Sequence, residues 1–242
     1  MLEAGLWGLV GGSSLLLGAV VGLWLDVSQR VIGLVMAFGA GVLISAVAFE
    51  LTSESYRTGG AAAVIGGLAA GAVAFYLADL VIDRRGGHAR KRSGGQQAEG
   101  SAPAIVVGAL MDGIPESVAI GLTLLEGGGV GLAVVAAVFL SNVPESLSAA
   151  TGMQKAGRSR AYIFGLWLSV ALVSAAAAAV GFATLDGASP NLVGFIQAFA
   201  AGAVLTMLAD TMMPEAFENG GRVVGLMTSL GFALAFLIST VE

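Results

Sequence analysis

Apolar residues run in long blocks along nearly the whole chain, separated by short polar breaks. The blocks fall at about 4–25, 31–51, 60–82, 103–125, 128–153, 161–184, 190–213 and 221–241. A helix needs roughly 20 mostly apolar residues to cross a bilayer. Each block is long enough for one crossing, so the pattern predicts an all-α, polytopic membrane protein with eight transmembrane helices, forming a single domain over 1–242. The first block carries Glu3 and no basic leader, and reads as a span and not as a cleaved signal.

One polar stretch stands out, 83–102, with the sequence DRRGGHARKRSGGQQAEGSA. Its Gly, Arg and Gln content predicts a mobile loop between spans three and four. Ten of the eleven Lys and Arg residues fall in the loops joining spans 1–2, 3–4, 5–6 and 7–8; Arg57 stands alone on the other side. Positive loops stay in the cytoplasm. The 83–102 loop is therefore expected inside and both termini outside, in a plasma (inner) membrane.

Composition sharpens this picture. Only 11% of residues are charged against 57% hydrophobic, and the mean hydropathy is +0.90; soluble domains carry about 25% charge. The 37 glycines let membrane helices approach closely, and Gly8/Gly12, Gly18/Gly22, Gly67/Gly71 and Gly127/Gly131 have the four-residue spacing. There is no cysteine, which excludes disulfides and thiolate metal ligands. A net charge of −5 gives no nucleic-acid signal.

The chain repeats itself twice. AFGAGVLISAVAFELTSESYRTGG at 37–60 aligns with AFAAGAVLTMLADTMMPEAFENGG at 198–221 at a constant offset of 161, matching Phe38 with Phe199, Glu54 with Glu215 and the closing Gly-Gly pairs. Met111-Asp-Gly-Ile-Pro-Glu-Ser117 on span four matches Leu140-Ser-Asn-Val-Pro-Glu-Ser146 on span five. In both cases the partners lie on oppositely directed spans. Inverted repeats are expected, spans 1–3 against 6–8 and span 4 against 5, a transporter signature that places a site near the midplane.

Asp112, Glu116, Asn142 and Glu145 lie deep in those two spans. An ionised carboxylate in hydrocarbon costs about 2.5 kcal/mol or more, so such groups face a cavity, a partner or a cation. Asp112 and Glu116 share a helix face at i,i+4, as do Asn142 and Glu145 at i,i+3. Pro115 and Pro144 free the carbonyls of Met111 and Leu140 from the helix ladder. Carboxylates and unpaired backbone oxygens gathered at one depth suit a divalent cation. Polar groups also join membrane helices to one another, but three buried acids and two Pro-Glu-Ser copies exceed what that requires.

The segments Asp112-Gly-Ile-Pro-Glu-Ser117 and Ser141-Asn-Val-Pro-Glu-Ser146, with 198–221, resemble the ZIP family of divalent-metal transporters. The resemblance extends over essentially the whole chain. It implies eight spans and a metal site on spans four and five. Glu116, Asn142 and Glu145 match the family pattern; Asp112 and Ser141 stand where it has His, and His or Gln, and Gly113 stands where it has Asn. Span six has no acidic residue in the membrane, so one bound metal is expected. The implied ligands are Asp112, Glu116, Ser141, Asn142 and Glu145. The family prior gives zinc; an all-oxygen set moves weight toward Mn or Fe(II). His88, the sole histidine, reads as an ordinary loop residue.

The resulting expectation is transport of a divalent metal (Zn2+, or Mn2+/Fe2+) into the cytoplasm, with the metal as substrate and no organic cofactor. Glu50 and Glu54 near the outer surface, with Asp210, Glu215 and Glu218 toward the inner one, are candidate pathway residues; Asp210 reads as the more buried of the inner three, and Asp26, Asp79 and Asp83 as interfacial. The expected partners are membrane lipid and the metal ion, not nucleic acid, with a homodimer left open. No buried nucleophile–base pair points to an enzyme. The competing reading is a metal-regulated or scaffolding membrane protein that does not transport.

Overall fold

The computed structural model describes residues 1–100, 102–126 and 129–240, and among them the fold is all-helical, with no strand. Nine α-helices follow in order: α1 (Leu2–Trp24), α2 (Gln29–Ala46), α3 (Ser53–Ile82), α4 (Ala102–Thr123), α5 (Leu132–Lys155), α6 (Arg160–Leu185), α7 (Pro190–Met207), α8 (Met213–Gly220) and α9 (Val224–Ser239). Local chemistry sets several boundaries. Ser159 Oγ accepts from Tyr162 N at 3.1 Å and caps α6. Pro190 opens α7, where its missing N–H is no loss. Gly157, at φ 80°, closes α5 and lets Arg158 N reach back to the Met153 carbonyl at 3.0 Å.

By length and composition, six helical stretches among the described residues can cross a membrane: Leu2–Trp24, Gln29–Gly87, Pro103–Thr123, Leu132–Lys155, Arg160–Leu185 and Pro190–Ser239. The expected apolar blocks all fall on helices, but the breaks expected near 51–60 and 213–221 are not gaps in the helix. The stretch of 59 residues would be about 90 Å long if straight, three times the hydrocarbon thickness. It is not straight. Gly60 (φ 73°, ψ −178°) interrupts it, and Gly221 (φ 65°, ψ −148°) interrupts the second long stretch. Each break is preceded by a π-helical turn, Val47–Thr52 in one and Leu208–Met212 in the other. Both distortions recur at the offset of the sequence repeat.

The helices gather into two groups. α1 packs on α5 and α6, and α4 on α6; α3 packs on α7, and α2 on α9 and α8. The groups meet mainly through α2 against α5 and α4 against α7. Glycine permits the close crossings. A Cβ on Gly71 of α3 would overlap the Phe199 carbonyl of α7, and one on Gly18 of α1 would overlap the Val143 carbonyl of α5. Gly8/Gly12, Gly18/Gly22 and Gly67/Gly71 all lie at such crossings; Gly127 of the fourth pair is outside the described residues.

Burial departs from that of a water-soluble domain at both the surface and the core. Leu2, Leu6, Leu17, Leu226, Leu230 and Leu237 point outward, while Asp79, Asp112, Glu116, Glu145 and Glu215 are buried. Apolar outer faces, with the charged groups held inside a largely apolar core, are what a lipid solvent selects.

Candidate functional site

The proline-bearing helices α4 and α5 carry the buried acids. Pro115 and Pro144 both lie inside continuous helix. Asp112 and Glu116 occupy one face of α4, 2% and 3% exposed, and Glu145 lies on α5 at 4%. Glu116 is within electrostatic range of Glu145 and Asp112, and its Oε1 is buried without a hydrogen-bond partner. Asp112 and Glu145 meet on one cation, Lys91, with Glu116 within electrostatic range of both. The two neutral candidates turn elsewhere. Ser141 Oγ donates to the Val138 carbonyl of its own helix at 3.0 Å, and Asn142 Nδ2 donates to the Gly11 carbonyl of α1 at 3.3 Å.

The acids do not face an open cavity. The segment after α3, expected to be a mobile loop, folds back into the molecule: Gly86 (φ 90°) turns the chain and a run of turns covers 88–91. That return inserts two cations among the carboxylates. Arg90 Nε donates to Asp112 Oδ2 at 2.9 Å, and its Nη2 donates to Asp112 Oδ1 at 3.1 Å and to Asp79 Oδ1 at 2.6 Å. Lys91 Nζ lies 3.1 Å from Glu145 Oε2 and 3.4 Å from Asp112 Oδ2. The space left beside them is 10 Å³, lined by Ile105, Met153 and Trp167 among others, room for one water at most. Among the described residues no three His, Cys, Asp or Glu converge to hold a metal ion. Burial alone opposes charge on Arg90 and Lys91. The adjacent Asp112 outweighs it, so both cations titrate above their ordinary ranges.

The loop backbone is seated as firmly as its side chains. Ser93 donates from N and Oγ to Glu215 Oε1, at 2.9 and 2.6 Å. Ser148 Oγ of α5 donates to the Lys91 carbonyl at 2.6 Å. Arg92 pairs with Glu215 at 3.2 Å and with Glu218. Gly152 of α5 leaves room for the Arg92 carbonyl, which a Cβ would overlap.

Two expectations about acids are corrected here. Asp210 is exposed, and Glu215 is the buried member of the inner set at 1%; the π turn at Leu208–Met212 adds a residue to the helical register between them. Asp79 is not interfacial: it is buried and held by Arg90. Glu50 and Glu54 line a separate cavity of 440 Å³ with Thr123, Val130 and Gln197. Glu54 is tied to Arg57 at 3.1 Å and accepts from Thr58 at 3.2 Å.

Sequence reasoning missed Arg90, Lys91 and Asp79. The signal available was the basic run Arg90-Lys91-Arg92 beside a buried acid cluster of opposite sign.

No family model matches the chain. Over 206 residues, 84% of its length, the chain is 25% identical to a protein of Arabidopsis thaliana named "Putative zinc transporter". The match spans 33% of that plant protein, so the chain corresponds to about a third of its relative. With its six long apolar helices and outward-facing leucines, this is a multi-pass helical membrane protein.

Proposed function

We propose that the protein carries a divalent metal cation across the membrane into the cytoplasm, with Asp112, Glu116 and Glu145 as the acids that hold it at mid-membrane. The observation that carries this reading is the placement of three buried carboxylates on two Pro-Glu helices, compensated by cationic groups. A cluster this costly in hydrocarbon is built to hold positive charge. Ser141 and Asn142, bonded to Val138 and Gly11 in this structure, would join the proposed set as oxygen donors only by turning from those partners. The named relative and the resemblance to the ZIP family favour zinc; the absence of nitrogen and sulfur donors from the set keeps Mn2+ and Fe2+ close behind.

Eight spans and inverted repeats belong to the same proposal. Reading each long stretch as two spans, divided at Gly60 and Gly221, gives eight. The matching π turns and matching positive-φ glycines support a repeat that extends beyond sequence. The two helix groups supply the bodies for alternating access, one rocking against the other around the acids. Glu50 and Glu54 form the outer mouth, with Asp210, Glu215 and Glu218 at the inner one; the loop charges put 83–102 in the cytoplasm.

The test is uptake of Zn2+, Mn2+ and Fe2+ into proteoliposomes, with Glu116→Ala and Glu145→Ala as controls. Uptake by the unchanged chain that both variants abolish supports transport. One observation favours a second reading: Arg90 and Lys91 already pair with Asp112 and Glu145, as they would in a protein that keeps this core without moving metal. No uptake by any folded variant would establish that alternative.

A further inference from the structure

Two of the three carboxylates proposed to hold the ion, Asp112 and Glu145, are occupied by the protein's own cations. Arg90 and Lys91 together bring two positive charges, the charge of one divalent ion, to the oxygens of Asp112 and Glu145. Their side chains are 2% and 5% exposed, so these are not solvated surface contacts. An ammonium is a compact point charge with three donors, and a divalent ion about 2.0–2.2 Å from the same oxygens would set like charge against like charge in a space of 10 Å³.

Pairing buried charges requires only the side chains, yet the loop's main chain is also fitted to the site. Glu215 accepts from Ser93 twice, Ser148 holds the Lys91 carbonyl, and Gly152 and Gly108 lack the side chains that would push away Arg92 and Arg90. The seat lies on α4, α5 and α8, elements of both helix groups. Withdrawal of the loop would both free the acids and release a strap across the groups.

We propose that Arg90-Lys91 is a tethered cationic plug that competes with the divalent cation for Asp112 and Glu145, so that metal enters the site only when the loop withdraws. The inference rests on reading those acids as the metal site. It makes the two basic residues determinants of specificity. A monovalent ion brings half the charge and replaces the pair poorly. Mg2+, which parts with its water reluctantly, gains little from a dry site. Ions that shed water and bind carboxylate strongly displace the plug.

The plug is tested on the full chain by hydrogen exchange of the 88–97 amides, without metal and with Zn2+ or Mn2+, alongside metal uptake by Gly152→Ala and Lys91→Gln. Gly152→Ala displaces the loop backbone and leaves every charge in place. Metal is expected to speed loop exchange in the unchanged chain by about tenfold or more. Gly152→Ala is expected to do so without metal. Half-maximal uptake should come at metal concentrations lower by about tenfold in both variants, the factor by which a mostly seated plug reduces apparent affinity. If the unchanged chain moves metal but metal leaves loop exchange unaltered, or if Gly152→Ala needs as much metal as the unchanged chain, the plug is overturned and transport stands. If no chain moves or binds metal, even with the loop displaced, the transport reading falls and the plug with it. Should Lys91→Gln fail to fold, exchange in the unchanged chain and uptake by Gly152→Ala decide the matter.

Discussion

Arg90 grips Asp112 through both carboxylate oxygens, Nε to Oδ2 at 2.9 Å and Nη2 to Oδ1 at 3.1 Å, and carries Asp79 on the same Nη2 at 2.6 Å. One guanidinium thus joins α3, the loop that follows it and α4. Two-point pairing of this kind is what arginine offers over lysine.

That joint sets the first expectation. Asp79→Asn leaves Arg90 with Asp112 but removes a buried charge partner, and Arg90→Gln leaves Asp79 without a cation and Asp112 with Lys91 alone. Breaking a buried pair costs about 3–5 kcal/mol. Arg90→Gln is expected to show the larger fall in thermal midpoint in detergent, and a divalent ion should restore part of it. An unchanged midpoint in Arg90→Gln would mean the pair adds no stability.

Selectivity follows from donor chemistry. Asp112→His places a nitrogen donor in the proposed all-oxygen set, and zinc gains more from that than manganese does. Competition uptake with both ions present should move toward Zn2+ by about tenfold, the ratio that 1.4 kcal/mol supports. An unaltered preference would remove Asp112 from the ligand set.

Glu50 and Glu54, proposed as the outer mouth, would act at a distance. Glu54 lines the 440 Å³ cavity and a neighbouring one of 390 Å³. Neutralising it as Glu54→Gln should raise the metal concentration for half-maximal uptake severalfold, most at low ionic strength, and leave the maximal rate unchanged. A lowered maximal rate with an unchanged half-maximal concentration would assign Glu54 to the chemistry of the transport step.

Glycines separate by cause. Gly60→Ala meets no neighbour but forces φ 73° on a residue with a Cβ, a strain of about 1–3 kcal/mol. Gly71→Ala drives its methyl into the Phe199 backbone and should yield little folded protein. Gly165→Ala, in open space within α6, should be neutral or stabilising by up to about 1 kcal/mol. Expression and thermal midpoints of the three variants give the ranking.

Much was legible without coordinates. Hydrophobic length determines where helices lie, because the bilayer forces every backbone polar group into internal bonds. Asp112, Glu116 and Glu145 were visible because a carboxylate inside an apolar block has few bland explanations. The repeat at 37–60 and 198–221 was legible with its closing glycines, and the structure showed that Gly60 and Gly221 bend the chain there.

The tertiary structure alone decided what meets those acids. Arg90, Lys91 and Ser93 sit in a stretch with no hydrophobic period, and their partners Asp112, Glu145 and Glu215 are distant in sequence. Local pattern cannot foresee an ion pair made by chain return. It also misjudged Asp210 against Glu215, because a π turn shifts the helical register by one residue and exchanges the buried face for the exposed one. The sequence determined that charge is buried in this membrane protein and on which helices. Long-range electrostatics, satisfied only once the chain has folded back, decided that Asp112 and Glu145 are already paired.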